Sequence, residues 1–354
     1  MRAGLFYLFE TLGEKSPRQV YKEAVDQVVY GEELGFEAVC PAEHHFSAHY
    51  GIMPDVLDYL SWVSSRTEKI KLWPMVIVSP LNETIRLAER VAMLDQFSGG
   101  RVVFSVGSGY RSYEFEPFGL DIKDNWKIMR EQIEFCVKAW KSDGNVSYDG
   151  QFLKIKNVEI QPKTLQKPHP PVFITTARDE QIAWAAERGF YVIPAAGFSP
   201  WELSHVYDLY DKLAQESGFG KSEYKVFFKW IYVDSNDKRA REYAEKFFMK
   251  TIMAFFYGGE HLYKHLTKKL IETWPEERRD EIKESRPITF DTLCGNPNYT
   301  PLAWGDPKRV IDFLSVCRDA GANFFIGGFN MGAMDDSLVR SSMKLFMEKV
   351  IPYV

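Results

Sequence analysis

The chain has 354 residues, of which 44 are Lys or Arg and 49 are Asp or Glu, so the formal net charge is −5. This mild acidity argues against a nucleic-acid partner, because contacts to phosphate groups require a basic face. Hydrophobic residues make up 45% and charged residues 26%, which is typical of a globular protein and excludes a disordered chain.

Short apolar runs alternate with longer amphipathic runs through the first half of the chain. The first amphipathic run predicts a helix capped by Ser16, with Pro17 in its first turn, Gln19 completing a capping box and Gly35 at its end. The predicted strands of this half are 3–8, 36–40, 70–78 and 101–106, and the further predicted helices begin near Asp55, Asn82 and Asp124.

The second half repeats this alternation. Its predicted strands are 172–176, 191–194, 226–233 and 324–329, and its predicted helices are 179–188, 201–216, 237–256, 307–321 and the C-terminal residues. Together the two halves contain eight strand–helix steps. Eight such units in a chain of this length predict an α/β fold, a closed (β/α)8 TIM barrel. No linker divides it, so we expect residues 1–354 to form a single domain.

Two segments interrupt the alternation. Residues 143–161 contain Asp149 and Gly150 between β-type residues, which predicts a small hairpin with a tight Asp-Gly turn. Residues 259–301 contain one predicted helix, 261–274, followed by charged, Pro- and Asn-rich sequence. Insertions of this length are usually lids or disordered segments, and we expect this one to be a lid-like insertion before the last strand.

The chain carries no sign of export or membrane insertion. Residues 3–9 are apolar but lack the basic stretch and the cleavage site of a signal peptide. No apolar run approaches the ~18 residues of a membrane helix. The four cysteines, Cys40, Cys136, Cys294 and Cys317, form no CxxC pair. We therefore expect a cytoplasmic protein with free thiols and no membrane partner.

In such a barrel the active site lies where the strands end and the following loops begin. The loop after the second predicted strand contains Glu43, His44 and His45, with Phe46 and His49 close behind. An imidazole beside a carboxylate suits a general acid or base. His45 and His49 are spaced for a metal site on a helix, although further zinc ligands are missing. The third interpretation is a polar loop whose histidines only pack and cap.

The loop after the fourth predicted strand reads Gly107, Ser108, Gly109, Tyr110 and Arg111. Glycine here would let a flat ligand or a phosphate approach the backbone, and a tight turn explains the same residues equally well. The loop does not match the dinucleotide-binding fingerprint, because the third glycine and the distal acidic residue are missing.

The helix after the fifth predicted strand opens at Ala177 to Gln181. The backbone N–H groups of a helix N-terminus favour an anion, and barrels often hold phosphate in this loop. Arg178 adds a guanidinium suited to phosphate. The alternative is that Arg178 pairs with Asp179 or Glu180 in solvent.

Several segments of the chain resemble the luciferase-like flavin monooxygenases, the family of bacterial luciferase. Residues 41–46 read Pro-Ala-Glu-His-His-Phe and resemble the EHHF stretch of that family. The likeness covers nearly the whole chain and needs no gaps over residues 72–119. The other segments that carry it are 86–90, 94–101, 171–174, 184–189 and 332–352.

The resemblance implies a barrel that binds reduced FMN delivered by a separate flavin reductase, and that uses dioxygen to insert one oxygen atom into a small organic substrate. By position His44 corresponds to the catalytic imidazole of the family, with Glu43 and His45 beside it. The flavin ring would lie over Met75 and Val76. In relatives the peptide bond at this position is a non-prolyl cis bond. A homodimer is also implied, and 259–301 corresponds to the mobile loop of the family.

The resemblance also places the flavin phosphate against the backbone of Ala177, Arg178 and Gln181. The large subunit of luciferase has a cysteine and a phosphate-binding arginine where this chain has Gly107 and Ser108. We therefore expect the positive charge at the phosphate to come from Arg178, or from Arg111.

Further departures bear on the substrate. Ala177 and Arg178 stand where luciferase has a glutamate and a serine, and Ala196 stands for a tryptophan near the flavin. We therefore expect a small, largely apolar substrate rather than a long-chain aldehyde and light emission. The aromatic residues that fit such a pocket are Phe6, Phe46, Tyr110 and Trp230.

Three other functions compete with the FMN monooxygenase. The same barrel could serve a deazaflavin coenzyme and transfer hydride without oxygen, or bind flavin without catalysis. The His45 and His49 spacing keeps a metal hydrolase as the third alternative.

Overall fold

The computed structural model describes residues 1–47, 49–194, 199–257, 289–296 and 300–354. The predicted helix 261–274 and Ala196 lie outside these residues. The first half of the chain contains the strands β1 (Arg2–Tyr7), β2 (Ala38–Pro41), β3 (Lys71–Leu72), β4 (Ile77–Val78) and β5 (Phe104–Gly107). Its helices are α1 (Pro17–Leu34), α2 (Val56–Ser64), α3 (Thr84–Ser98), α4 (Ser112–Phe115) and α5 (Asn125–Lys141).

The second half has the same alternation after a small hairpin. Its strands are β6 (Val146–Asp149), β7 (Lys154–Val158), β8 (Val172–Thr175), β9 (Tyr191–Ile193), β10 (Val226–Val233), β11 (Leu302–Gly305) and β12 (Phe324–Gly328). Its helices are α6 (Asp179–Ala186), α7 (Pro200–Glu216), α8 (Asp237–Tyr257), α9 (Phe290–Cys294), α10 (Pro307–Asp319) and α11 (Asp336–Lys349). Short 3-10 turns occupy Ser79–Leu81, Glu116–Phe118, Ile122–Asp124 and Ile351–Tyr353.

The strands form two parallel sheets whose order is that of an α/β barrel. One sheet has the order β11-β10-β12-β1-β2-β3, and the other has the order β4-β5-β8-β9. They meet where Leu72 bridges Val102 in parallel. Because β12 pairs with β1, the first and last strands of the chain are neighbours. The carboxyl ends of these strands therefore converge on one rim, as the predicted fold class requires.

The predicted strand 70–78 is two short strands. Lys71–Leu72 and Ile77–Val78 pair with different partners, and Pro74 lies in the interruption between them. Proline has no N–H to donate to a sheet ladder, which explains the break. The peptide bond Met75–Val76 is cis, as the resemblance implied.

One strand of the structure, β11, was not predicted from the sequence. Leu302–Gly305 pairs in parallel with β10 from Trp230 to Val233, whereas β12 pairs with β10 from Val226 to Trp230. Its four residues are buried, and the apolar run before Asp306 is the signal that could have revealed it.

The predicted hairpin forms, but not with a two-residue turn. Asp149 pairs with Lys154, so the loop has four residues. The carboxylate of Glu131 on α5 accepts the backbone N–H groups of this loop, from Gln151 to Leu153. A side chain from another element thus determines the turn, which is why Asp149 and Gly150 alone were misleading.

Two helix caps also differ from the prediction. Ser16 caps α1 and Gly35 ends it in the left-handed conformation, as expected. The Gln19 side chain, however, donates to Glu23 instead of closing a capping box. For α3 the capping side chain is Glu83, one residue after the predicted Asn82.

A continuous apolar core joins the strands to the surrounding helices. Cys40, Cys136, Cys294 and Cys317 are all buried free thiols within or against it. Among the described residues no helix combines the length and apolar character needed to cross a bilayer.

Candidate active site

A buried imidazole and carboxylate lie at the carboxyl-end rim. His44 follows β2, and its Nδ1 lies 3.1 Å from Oε1 of Glu114 on α4. The same oxygen accepts the backbone N–H of His45. His44 is 7% exposed and Glu114 is 1% exposed, so the pair is sheltered from water. Sequence reasoning missed Glu114, although α4 begins directly after the loop that it had singled out.

The protonation of His44 follows from this environment. Burial lowers the pKa of His44, the positive charge of Arg111 acts in the same direction, and the Glu114 carboxylate opposes both. The imidazole is therefore neutral near neutral pH. Its hydrogen bond to a carboxylate assigns the proton to Nδ1, which leaves Nε2 able to accept one.

The Glu43 carboxylate is directed to His45, Val78 and Asn82. One oxygen of Glu43 lies 3.2 Å from Nε2 of His45, and the other accepts the backbone N–H of Val78 on β4. Asn82 donates to the same carboxylate at 3.4 Å. Burial raises the pKa of Glu43. The carboxylate therefore ties the loop after β2 to the strand that follows Met75 and Val76.

Met75 and Val76 lie beside the loop after β5, and Gly107 brings them close. A Cβ on Gly107 would lie 2.6 Å from Cγ2 of Val76, so a larger residue would collide with that side chain. The absence of a side chain at Gly107 therefore makes room for the Val76 side chain, a reason for glycine that differs from the two interpretations given above. Gly109 has a φ of +79°, which fits the tight-turn interpretation of this loop. Ser108 is half-buried between them.

Arg111 is the second charged group buried near His44. Its guanidinium stacks on the Tyr50 ring at 4.1 Å and lies 5.2 Å from the rings of both Tyr110 and Phe255. Its Nη1 donates to the hydroxyl of Tyr113 at 2.7 Å. The Tyr50 and Tyr110 rings lie 5.0 and 6.2 Å from the His44 ring, so Arg111 belongs to the same cluster.

The predicted phosphate-binding loop lies at the start of α6 and shares no residue with the cluster around His44. The Thr176 hydroxyl donates to the buried Gln181 side chain and accepts the N–H of Arg178, which fixes the loop. Ala177 and Arg178 are exposed. Within the described residues Arg178 makes no ion pair, and Asp179 contacts His205 instead, so the pairing considered in the sequence analysis does not form.

The other candidates are dispersed. Phe6 packs against Trp230 with ring centroids 5.6 Å apart, whereas Phe46 is exposed and packs against Phe118. The exposed His49 lies beside Gly13. The described part of the chain contains no group of three His, Cys, Asp or Glu side chains placed to hold a metal.

Comparison with known proteins places this arrangement in context. The family described as luciferase-like monooxygenase matches residues 1–323. The alkanal monooxygenase alpha chain of a Kryptophanaron alfredi symbiont is 24% identical over all of this chain and 98% of its own length. The oxygenase component of the flavin-dependent trigonelline monooxygenase of Acinetobacter baylyi is 22% identical over 99% of this chain and 95% of its own length.

Solved structures share the fold over the full chain. The monooxygenase RslO1 of Streptomyces bottropensis superposes with a TM-score of 0.81 at 24% identity, covering 99% of both chains. The oxygenating constituent of 3,6-diketocamphane monooxygenase of Pseudomonas putida, solved with FMN, gives 0.76 at 18% identity over 100% and 98% of the two chains. The coenzyme F420-dependent tetrahydromethanopterin reductase of Methanopyrus kandleri gives 0.71 at 17% identity over 99% and 98%.

Proposed function

Since the chain belongs to the luciferase-like monooxygenase family, we propose that it is the oxygenase component of a two-component system. It takes reduced FMN from a separate flavin reductase and uses dioxygen to oxygenate a small organic substrate. The observation that carries this proposal is the buried His44–Glu114 pair at the carboxyl-end rim, beside the cis peptide Met75–Val76.

The start of α6 fits the phosphate of FMN. Of the backbone N–H groups expected to meet the phosphate, that of Arg178 already donates to Thr176 and that of Gln181 to the Arg178 carbonyl. The N–H groups of Asp179 and Glu180 have no acceptor among the described residues, and Arg178 places an exposed guanidinium beside them. Helix N-termini and guanidinium groups both favour phosphate. The carboxylates of Asp179 and Glu180 oppose this attraction, so Arg178 has to outweigh them. Reduced FMN, when bound, supplies the electrons that activate dioxygen.

The role of His44 is proton transfer beside the reacting centre. The Glu114 carboxylate fixes the imidazole through Nδ1, and burial keeps it neutral, so Nε2 is available to accept a proton and return it. Glu43 and His45 act by positioning: they hold the loop after β2 against β4.

The test combines cofactor binding with turnover. We expect the purified protein, titrated with reduced FMN in air, to consume dioxygen and to form an oxygenated product from its substrate. His44→Ala should lower turnover by ~10²–10⁴ while flavin binding and thermal stability are retained. Unchanged turnover in a folded His44→Ala variant would remove the proton-transfer role.

A deazaflavin coenzyme is the second candidate, because a solved structure of this fold is named as coenzyme F420-dependent. It predicts hydride transfer without dioxygen uptake. A protein that binds flavin without catalysis would instead show binding and no product. Oxygenated product formed with reduced FMN, substrate reduction with the reduced deazaflavin under nitrogen, and binding without product in either assay therefore separate the three functions.

A further inference from the structure

The Arg111 guanidinium is buried with part of its hydrogen-bonding capacity unused. It is 1% exposed, and among the described residues Nε and Nη2 have no acceptor. Its Nη1 donates to the Tyr113 hydroxyl. A charged group removed from water without a partner is costly, so such a group is normally paired or holds a ligand.

The unused nitrogens lie on one edge of the guanidinium plane. Nε–H and Nη2–H point in parallel on the side away from Cδ, and this edge binds the two oxygens of a carboxylate as a fork. The nearest carboxylate in sequence is turned elsewhere, because Glu114 accepts from His44 and His45. Among the described residues Arg111 has no ion pair with any carboxylate.

The surroundings of this edge suit an organic anion with an apolar body. The rings of Tyr50, Tyr110 and Phe255 surround the guanidinium. Tyr110 is 53% exposed, so the cluster reaches the molecular surface at this ring. The Tyr110 ring also contacts the His44 ring. A ligand held by Arg111 would therefore present its body beside the imidazole.

We propose that Arg111 binds the carboxylate of the substrate, and that this protein acts on small organic carboxylates. The proposal rests on the proposed monooxygenase function, since it names the substrate class of the same site. In this proposal Arg111 binds the singly charged carboxylate of the substrate, and the start of α6 binds the doubly charged phosphate of FMN.

The experiment measures binding of acetate, hexanoate and benzoate, each against its neutral primary amide, by calorimetry on protein saturated with oxidised FMN. We expect at least one acid to bind about 10-fold or more tightly than its amide. Arg111→Gln should weaken the binding of that acid by about 10–100-fold and leave the binding of its amide nearly unchanged. Arg111→Lys keeps the charge without the fork and should give an intermediate loss. Arg318→Gln, at an exposed position at the end of α10, is the control for the loss of one charge.

The outcomes separate this proposal from its alternatives. No preference for any of the three acids in the wild-type protein overturns it, and this result needs no variant to fold. Weaker binding of FMN but not of riboflavin to Arg111→Gln also overturns it, because the guanidinium then serves the cofactor. Failure of the wild-type protein to bind flavin at all would instead refute the proposed function.

Discussion

His44 and Glu114 are 70 positions apart in the sequence and 3.1 Å apart in the structure. Neither residue would function alone, because a buried imidazole without a carboxylate has no fixed tautomer, and a buried carboxylate without a donor is destabilised. Arg111 completes the set by lowering the pKa of His44 from the other side. The chemistry of the site thus arises from three charged or titratable groups, His44 after β2, Arg111 in the loop after β5, and Glu114 on α4.

Glu10 is a further buried acid close to this cluster. One carboxylate oxygen accepts from the Thr251 hydroxyl and the Gly332 N–H, and the other has no partner among the described residues. Burial raises the pKa of Glu10 to about 7. The folded state therefore holds this proton more tightly than the unfolded state, whose carboxyl titrates near 4.5.

The resulting linkage gives a signed prediction. The stabilisation from this proton is complete below pH 4.5 and is lost as pH rises through 7, amounting to roughly 3 kcal/mol of unfolding free energy. Glu10→Gln mimics the protonated acid and should be more stable than the wild type at pH 8, with little difference at pH 4.5. Urea unfolding at both pH values measures this. An equal pH dependence in both proteins would show that Glu10 keeps an ordinary pKa.

At the scale of elements, the start of α6 carries the flavin phosphate in our proposal. Arg178→Ala should weaken FMN binding by about 10-fold and leave riboflavin nearly unchanged, because riboflavin lacks the phosphate. Fluorescence titration with both flavins measures the ratio, with Arg318→Ala as the matched control. Equal weakening of both flavins would make Arg178 a structural or surface residue.

The neighbouring strands show how one element shapes the next. β3 and β4 are separated by Pro74 and the cis bond at Met75–Val76, and Gly107 on β5 leaves room for the Val76 side chain. Glu43 then holds β4 through the Val78 N–H. The loop after β2, strand β4 and strand β5 therefore form one packed unit beneath the proposed flavin position.

We propose that the protein is a homodimer. Trp62 on α2 and Met93 and Phe97 on α3 are large apolar side chains that are 41%, 41% and 63% exposed, and the two helices pack side by side. A second copy of the chain would cover them. Light scattering should give twice the 41.0 kDa of one chain, and Phe97→Asp should give a monomer. A monomeric wild type would contradict the proposal.

That residues 1–354 form a single domain stays a prediction, which unfolding experiments can test. Buried residues from β1 to α11 belong to one apolar cluster. We expect one cooperative unfolding transition, which the urea experiments above would also show.

The order and type of most elements follow from the amino-acid sequence alone. Apolar periodicity depends on nearest neighbours along the chain, so the alternation of strands and helices, the cap at Ser16 and the end at Gly35 followed directly. The barrel rule then located the rim and selected His44, because chain direction fixes where each strand ends. The break at Pro74 could also have been predicted, since its cause is local.

Which of these residues come into contact depends on how the chain folds. Three interactions join segments that are distant in sequence. Glu114 contacts His44, Glu131 supports the hairpin loop, and the Val76 side chain leaves no room for a Cβ at Gly107. Arg111 was visible as a charge, but its burial against Tyr50 and Phe255 was not. Sequence patterns report the preferences of neighbouring residues, whereas hydrogen bonding, burial and pKa depend on distances that exist only after the chain has folded.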